Sequence, residues 1–211
     1  MQKAGSTEFN KKNFPSLSFE YFKLVDTNGT GAFLFKMQAD FNRIDGNIGQ
    51  IFTQLSQTLC FWKPKLNVYL NYSGGLGITL TGFGFNIANA YGIGLSYPFE
   101  WKGAWMSANI SVRYNAFDKP SYDPQFTFYF GRGLYDWKFF TAGSFVFWTE
   151  NKNKGDMPML SGKKFAFFGD PQFWWNIKKR WSVGTRANVF YNLIEKDAMK
   201  IYTTLGVKYQ F

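Results

Sequence analysis

The sequence predicts an all-β fold, a transmembrane antiparallel up-and-down β-barrel. Three observations predict it: period-two alternation in nearly every segment, an aromatic share of 22%, and connections that alternate between short and long. The alternation is plain in the last stretch. There Ile201, Thr203, Leu205, Val207, Tyr209 and Phe211 fall on one side of an extended strand, and Tyr202, Thr204, Gly206, Lys208 and Gln210 on the other. One row is apolar and the other polar, as a wall between lipid and water requires.

Composition removes several alternatives. The 211 residues show no shift that divides the chain, so a polar segment 1–14 followed by one barrel domain, 15–211, is the economical division. Mean hydropathy is negative and no run approaches the ~18 apolar residues of a membrane helix. A barrel escapes that test, because every second residue faces a polar lumen. Cys60 is the only cysteine and histidine is absent, which excludes an internal disulfide, Ser-His catalysis and the usual Cys or His metal sites. No enzyme, no cofactor and no metal are expected. The formal charge of +10 is scattered over turns and loops and forms no basic helix, so it points to lipid headgroups, lipopolysaccharide included, over nucleic acid, with ordinary solvated loop charge as the plain account of most of it. Residues 1–13 hold no apolar secretory core, so an exported protein is expected here in a mature or truncated form.

In chain order, the first strand is predicted at Ser16–Leu24, after Phe14-Pro15. The second, Gly31–Asn42, sets Phe33, Phe35, Met37, Ala39 and Phe41 against Lys36, Gln38, Asp40 and Asn42. Strands follow at 50–62 and 66–73, with Gly74-Gly75-Leu76-Gly77 read as a loop, since neither a helix nor a Lys-Ser/Thr pair follows to make it a phosphate cradle. The next strand, 86–97, ends at a reversal over Pro98–Gly103, and 105–115 puts Met106, Ala108, Ile110, Val112 and Tyr114 opposite Ser107, Asn109, Ser111, Arg113 and Asn115. Strands at 125–132, 137–149, 165–177 and 181–192 precede the closing strand. Pro171 cannot donate to a ladder and predicts a bulge or a locally open edge.

Short turns near 63–65, 98–103, 134–136 and 178–180 alternate with longer connections near 79, 119, 152 and 196. That is the asymmetry of an outer-membrane barrel, with the short turns periplasmic. Trp62, Trp101, Trp105, Trp137, Trp175 and Trp181 lie beside the short turns and are expected to form an interfacial girdle. About eleven strands can be read, whereas such barrels have an even number. Either one strand goes unread, or one that should precede Met1 is absent here; in the second case Ala4–Asn13 would be the first outer loop. Edges at 16–24 and at the closing strand would then be open to another envelope protein.

From Thr204 the chain reads polar, any, Gly, any, any, aromatic, any, aromatic. Gly206, Tyr209 and Phe211 thus resemble the signal that the barrel insertion machinery reads. The segments Asn13-Phe14-Pro15-Ser16-Leu17-Ser18-Phe19-Glu20-Tyr21-Phe22-Lys23, Phe61-Trp62-Lys63-Pro64-Lys65, Tyr72-Ser73-Gly74-Gly75-Leu76-Gly77, Tyr97-Pro98-Phe99-Glu100-Trp101-Lys102-Gly103 and Asp170-Pro171-Gln172-Phe173-Trp174-Trp175-Asn176 resemble a family of uncharacterised outer-membrane proteins grouped with the Tsx-like nucleoside-specific channels. The resemblance spans nearly the whole chain. It implies a 12-stranded barrel in the bacterial outer membrane, with one strand before the Asn-Phe-Pro segment, and nucleoside passage by analogy alone.

Two functions from different classes follow. The first is a narrow channel for passive diffusion of small polar solutes. Its lumen would carry the charges Glu20, Lys36, Asp40, Arg113, Asp170, Arg186 and Lys208, and Phe22, Phe52, Tyr69, Trp174 and Tyr202 would be available to stack a base or sugar. The blander role for those aromatics is to fill a small barrel, since barrels of about eight strands are packed by side chains. The second function is a non-conducting structural or interaction barrel that docks with another envelope protein.

Overall fold

The computed structural model describes residues 13–23, 30–43, 46–60, 65–79, 82–116, 120–153, 159–178 and 180–211. Every element among them is a strand: β1 Ser16–Lys23, β2 Thr30–Asp40, β3 Gln50–Leu59, β4 Asn67–Ile78, β5 Gly84–Trp101, β6 Ala104–Asn115, β7 Ser121–Leu134, β8 Phe139–Asn151, β9 Lys163–Gly169, β10 Gln172–Lys178, β11 Trp181–Tyr191 and β12 Met199–Tyr209. Each pairs antiparallel with its neighbours in one up-and-down sheet. β9 and β10 share a single path, both lying between β8 and β11.

The partition of side chains is inverted. Ile93, Ile110, Val112, Leu205 and Val207 are exposed, while Asn109, Thr127, Asp123, Ser144 and Asp170 are buried. Side chains from strands far apart in the order meet on the polar face. Phe22 of β1 stacks on Trp105 of β6, Tyr69 of β4 meets Tyr129 of β7, and Arg186 of β11 bonds Gln38 of β2. The sheet is therefore curled, with the polar row concave and the apolar row convex. On the convex side the phenylalanines stack across strands, Phe128 on Phe130, Phe130 on Phe145, Phe145 on Phe167 and Phe139 on Phe173. Such pairs add to ladder stability beyond their area. This places much of the phenylalanine in the middle of the wall as well as at its ends, and settles the parity of β8, whose even-numbered residues face inward.

Several boundaries differ from the sequence reading, each for a visible reason. Gly74–Gly77 is strand and not loop, because β3 and β5 flank it on both sides. β5 continues through Pro98 to Trp101, and Lys102-Gly103, both at positive φ, make the whole turn, the geometry of a tight hairpin. Pro98 is tolerated because β4 flanks β5 only as far as Ser96. Pro124 is likewise inside β7, just before Gln125, where pairing with β8 begins. At Asp170-Pro171 the ladder breaks without a bulge. Gly169 faces Phe145 and Gln172 faces Ala142, so the register is continuous across the gap.

β1 and β12 each have one ladder partner among the described residues. Ten antiparallel steps separate them on the sheet path, so they run in the same direction, and antiparallel pairing between them is excluded. Phe19 nevertheless stacks on Phe211, with centroids 5.9 Å apart, which brings the two edges together by side chains alone.

Gly143 lies against the break. A Cβ there would come within 2.9 Å of the Asp170 carbonyl oxygen and of the Pro171 Cα, whereas one on Gly84 would meet nothing within 4 Å. Gly143→Ala should therefore cost about 1–3 kcal/mol and Gly84→Ala under about 0.5 kcal/mol, read from urea midpoints of the purified protein.

Candidate functional site

The concave face carries three levels of side chains. At the end of the 102–103 and 135–138 turns the interior is filled by apolar groups: Leu34, Tyr69 and Tyr129 form one cluster, with Trp105 against it and Phe22 stacked on Trp105 at 5.3 Å and 15°. Phe22 and Trp105 come from strands five places apart, so their contact crosses the interior.

The middle level is charged. Register places Glu20 opposite Lys36 and Lys36 opposite Gln54. Lys36 Nζ reaches Asp170 Oδ2 at 3.1 Å and Glu20 at 3.7 Å, and Arg186 Nη2 reaches the same Oδ2 at 3.2 Å. The other Asp170 oxygen accepts from the Ser144 amide and hydroxyl, each at 2.6 Å. Arg186 Nη1 donates to Gln38 Oε1 at 3.0 Å. Gln54 donates to the Tyr129 hydroxyl, which meets that of Tyr69 at 3.2 Å. Around Pro171 the backbone keeps two bonds, Asp170 N to Ser144 O and Ala187 N to Pro171 O, while the Ser144 amide donates to the Asp170 carboxylate and draws it into this bracket.

The third level lies toward the 152–162 connection. Arg113 sits over the Trp148 ring at 5.2 Å, and the Trp148 Nε1 donates to Glu150. Asp123, opposite Arg113 in the ladder, is held by Lys163 at 2.7 Å and by Ser121 and Thr149, while Glu150 pairs with Lys164 at 3.0 Å. Asp40, on this side of β2, accepts from Ser16, Gln38 and Gln50.

The residues expected to share one charged lumen are thus divided. Lys36, Asp170, Arg186 and Glu20 come together, Arg113 belongs to the outer level, and Asp40 is capped by neutral donors. Lys208 lies over the rings of Phe140 and Trp174 at 5.2 and 5.5 Å. Among the aromatics, Tyr69 is 1% exposed and bonded to Tyr129, so it is core and has no open face. Phe22 is engaged by Trp105, Tyr202 meets Phe190 edge-on, Trp174 packs beside Gly206, and Phe52 stays in the concave row. Trp101, Trp175 and Trp181 are exposed on the convex side at the short-turn end. Trp105 and Trp137 do not join them: Trp105 faces inward, and Trp137, in the turn at positive φ, stacks on the inward Phe140. Trp62 lies outside the described residues. Tyr209 packs on Trp181, and Phe211 is exposed beside Phe19.

Residues the sequence reading passed over complete the site. Tyr129 was legible as an inward residue beside Gln125 and Thr127, but its tie to Gln54 was not. Asp123 and Glu150 lie just outside the predicted strands 125–132 and 137–149 and inside β7 and β8. No group of metal-ligating side chains occurs among the described residues.

Fold and interior together define a class: an all-β, up-and-down sheet curled about a buried polar network, with its apolar residues outside. The chain belongs to the family described as a domain of unknown function, DUF5020, whose profile matches residues 6–211. No curated protein and no solved structure matches it.

Asp170→Ala would leave Lys36 and Arg186 side by side and the Ser144 amide unpartnered, and should cost about 3–5 kcal/mol in denaturant titrations. Glu20→Gln, at a half-exposed partner, should cost under about 1 kcal/mol.

Proposed function

We propose that the chain is a bacterial outer-membrane β-barrel protein through whose polar interior small polar solutes diffuse passively, nucleosides being the sharpest candidate. The observation that carries this reading is the inverted partition, with a polar row buried along the concave face and aliphatic side chains exposed along the convex one. Water would penalise that convex face, whereas hydrocarbon suits it. Exposed tryptophans at the short-turn end fit an interfacial belt, and membrane lipid with lipopolysaccharide would surround the wall. Delivery by the barrel insertion machinery follows from the same reading. Nucleosides enter through the resemblance to Tsx-like channels and through the aromatic and hydrogen-bonding groups of the interior.

The Phe22–Trp105 stack favours a second reading, a non-conducting barrel that docks with another envelope protein. In the channel reading the same stack is a closed gate. Swelling of proteoliposomes in nucleosides, sugars and amino acids separates the two. A channel should admit nucleosides and admit them faster as Phe22→Ala/Trp105→Ala. No swelling in either form, with a stoichiometric partner on co-purification, would leave the docking barrel.

The membrane assignment has its own test. Leu205 is 88% exposed on the convex side. Leu205→Arg should cost about 2–4 kcal/mol in refolding into vesicles. A cost under about 0.5 kcal/mol would mean that water, and not lipid, faces that row.

A further inference from the structure

The buried carboxylates and the interior cations are not equally satisfied. Asp40, Asp123, Glu150 and Asp170 are the buried carboxylates described, and each is held by two or more donors. The cations keep donors in reserve at all three levels. Arg113, 5% exposed, has Nη1 buried with no hydrogen-bond partner, and Arg186 has Nε in the same condition. Lys208 meets two ring faces and, among the described residues, no carboxylate within ion-pairing distance. In the middle bracket two cations share one carboxylate oxygen.

An unpartnered buried donor on a charged group is costly, and a guanidinium is always ionised. The buried carboxylates that could relieve it are already held by other donors, and the acceptors left over, Ser111 Oγ and Asn188 Oδ1 among them, carry no charge. The missing complement is an acceptor with negative charge, brought from outside. We propose that the interior binds small solutes bearing one oxyanion, a carboxylate or a phosphate. Arg186 is the central station, Lys208 the station at the short-turn end and Arg113 the station at the other end. At Arg186 the free Nε lies beside Nη2, the edge that grips an oxyanion in a fork. The bracket yields because Asp170 retains Ser144 and Lys36 when Arg186 turns to a ligand. Lys208, held only by ring faces, can follow an anion over a short distance.

This rests on the channel reading but moves its solute from neutral nucleosides to small anions, and binding can be measured without conduction. Purified protein folded in detergent would be dialysed to equilibrium against labelled inorganic phosphate, acetate and, as a neutral probe, glycerol. Saturable binding of phosphate or acetate, but not of glycerol, is expected, weakened about tenfold in Arg186→Gln and at least threefold in Lys208→Met. Should Arg186→Gln fail to fold, Lys208→Met decides, since no ion pair is lost with it. In planar bilayers under a salt gradient, the wild type should prefer anions and Lys208→Met should lower that preference. Absence of saturable binding to the folded wild type, or equal binding in Lys208→Met, would overturn the oxyanion site. Binding without any current would keep the site and remove the channel.

Discussion

The structure depends on one constraint: polar side chains buried along the concave face must find partners among one another, because the curled sheet that carries them offers none through its apolar side. An amide or hydroxyl buried without a partner costs a few kcal/mol, and a charge costs more. A single buried row of alternating residues therefore dictates contacts between strands far apart in sequence. Lys36 and Asp170, 134 residues apart, meet for this reason, as do Arg186 and Gln38 across 148. The curl of the sheet and the pairing of its charges are the same requirement met twice.

Pro171 shows how a local defect serves that requirement. An uninterrupted strand would present Asp170 to the interior on a rung whose backbone is fully engaged. With the ladder open at that point and the register kept, the carboxylate sits where the Ser144 amide, the Ser144 hydroxyl, Lys36 and Arg186 converge. Gly143, across the gap, has no side chain to fill the space that Pro171 needs. A proline, a glycine and an aspartate on two strands thus make one anion position in the wall.

Alternation made most of the fold legible. It separates Lys36, Gln38 and Asp40 from Phe33, Phe35 and Met37, and the same faces appear in the structure. It could not show which inward residues sit at the same depth, since depth depends on the stagger between strands. Arg113 and Arg186 therefore read alike in sequence yet lie at different levels. Tryptophan proximity to turns gave axial position and not orientation, so Trp105 was placed on the wrong face although its parity with Ser107 and Asn109 already pointed inward. Glycine content points to a loop at Gly74–Gly77, where ladder partners on both sides outweigh the local preference for a turn.

The seam between β1 and β12 adds a mechanical consequence to the charged level. All eight residues of β1 are exposed, and no ladder bonds tie its outer edge among the described residues. What holds the two flanks together there is the Phe19–Phe211 stack and, one strand further in on each side, the bonds from β2 to β11 and to the β9–β10 junction. The Lys36–Asp170–Arg186–Gln38 bracket is therefore both the polar centre of the interior and the tie across its weakest line. Any solute that competes for Arg186 loosens that tie, and any force that parts the seam frees Arg186. If the interior takes the anion proposed above, its binding and the width of the interior would be coupled through one set of four side chains, and the coupling would act in both directions.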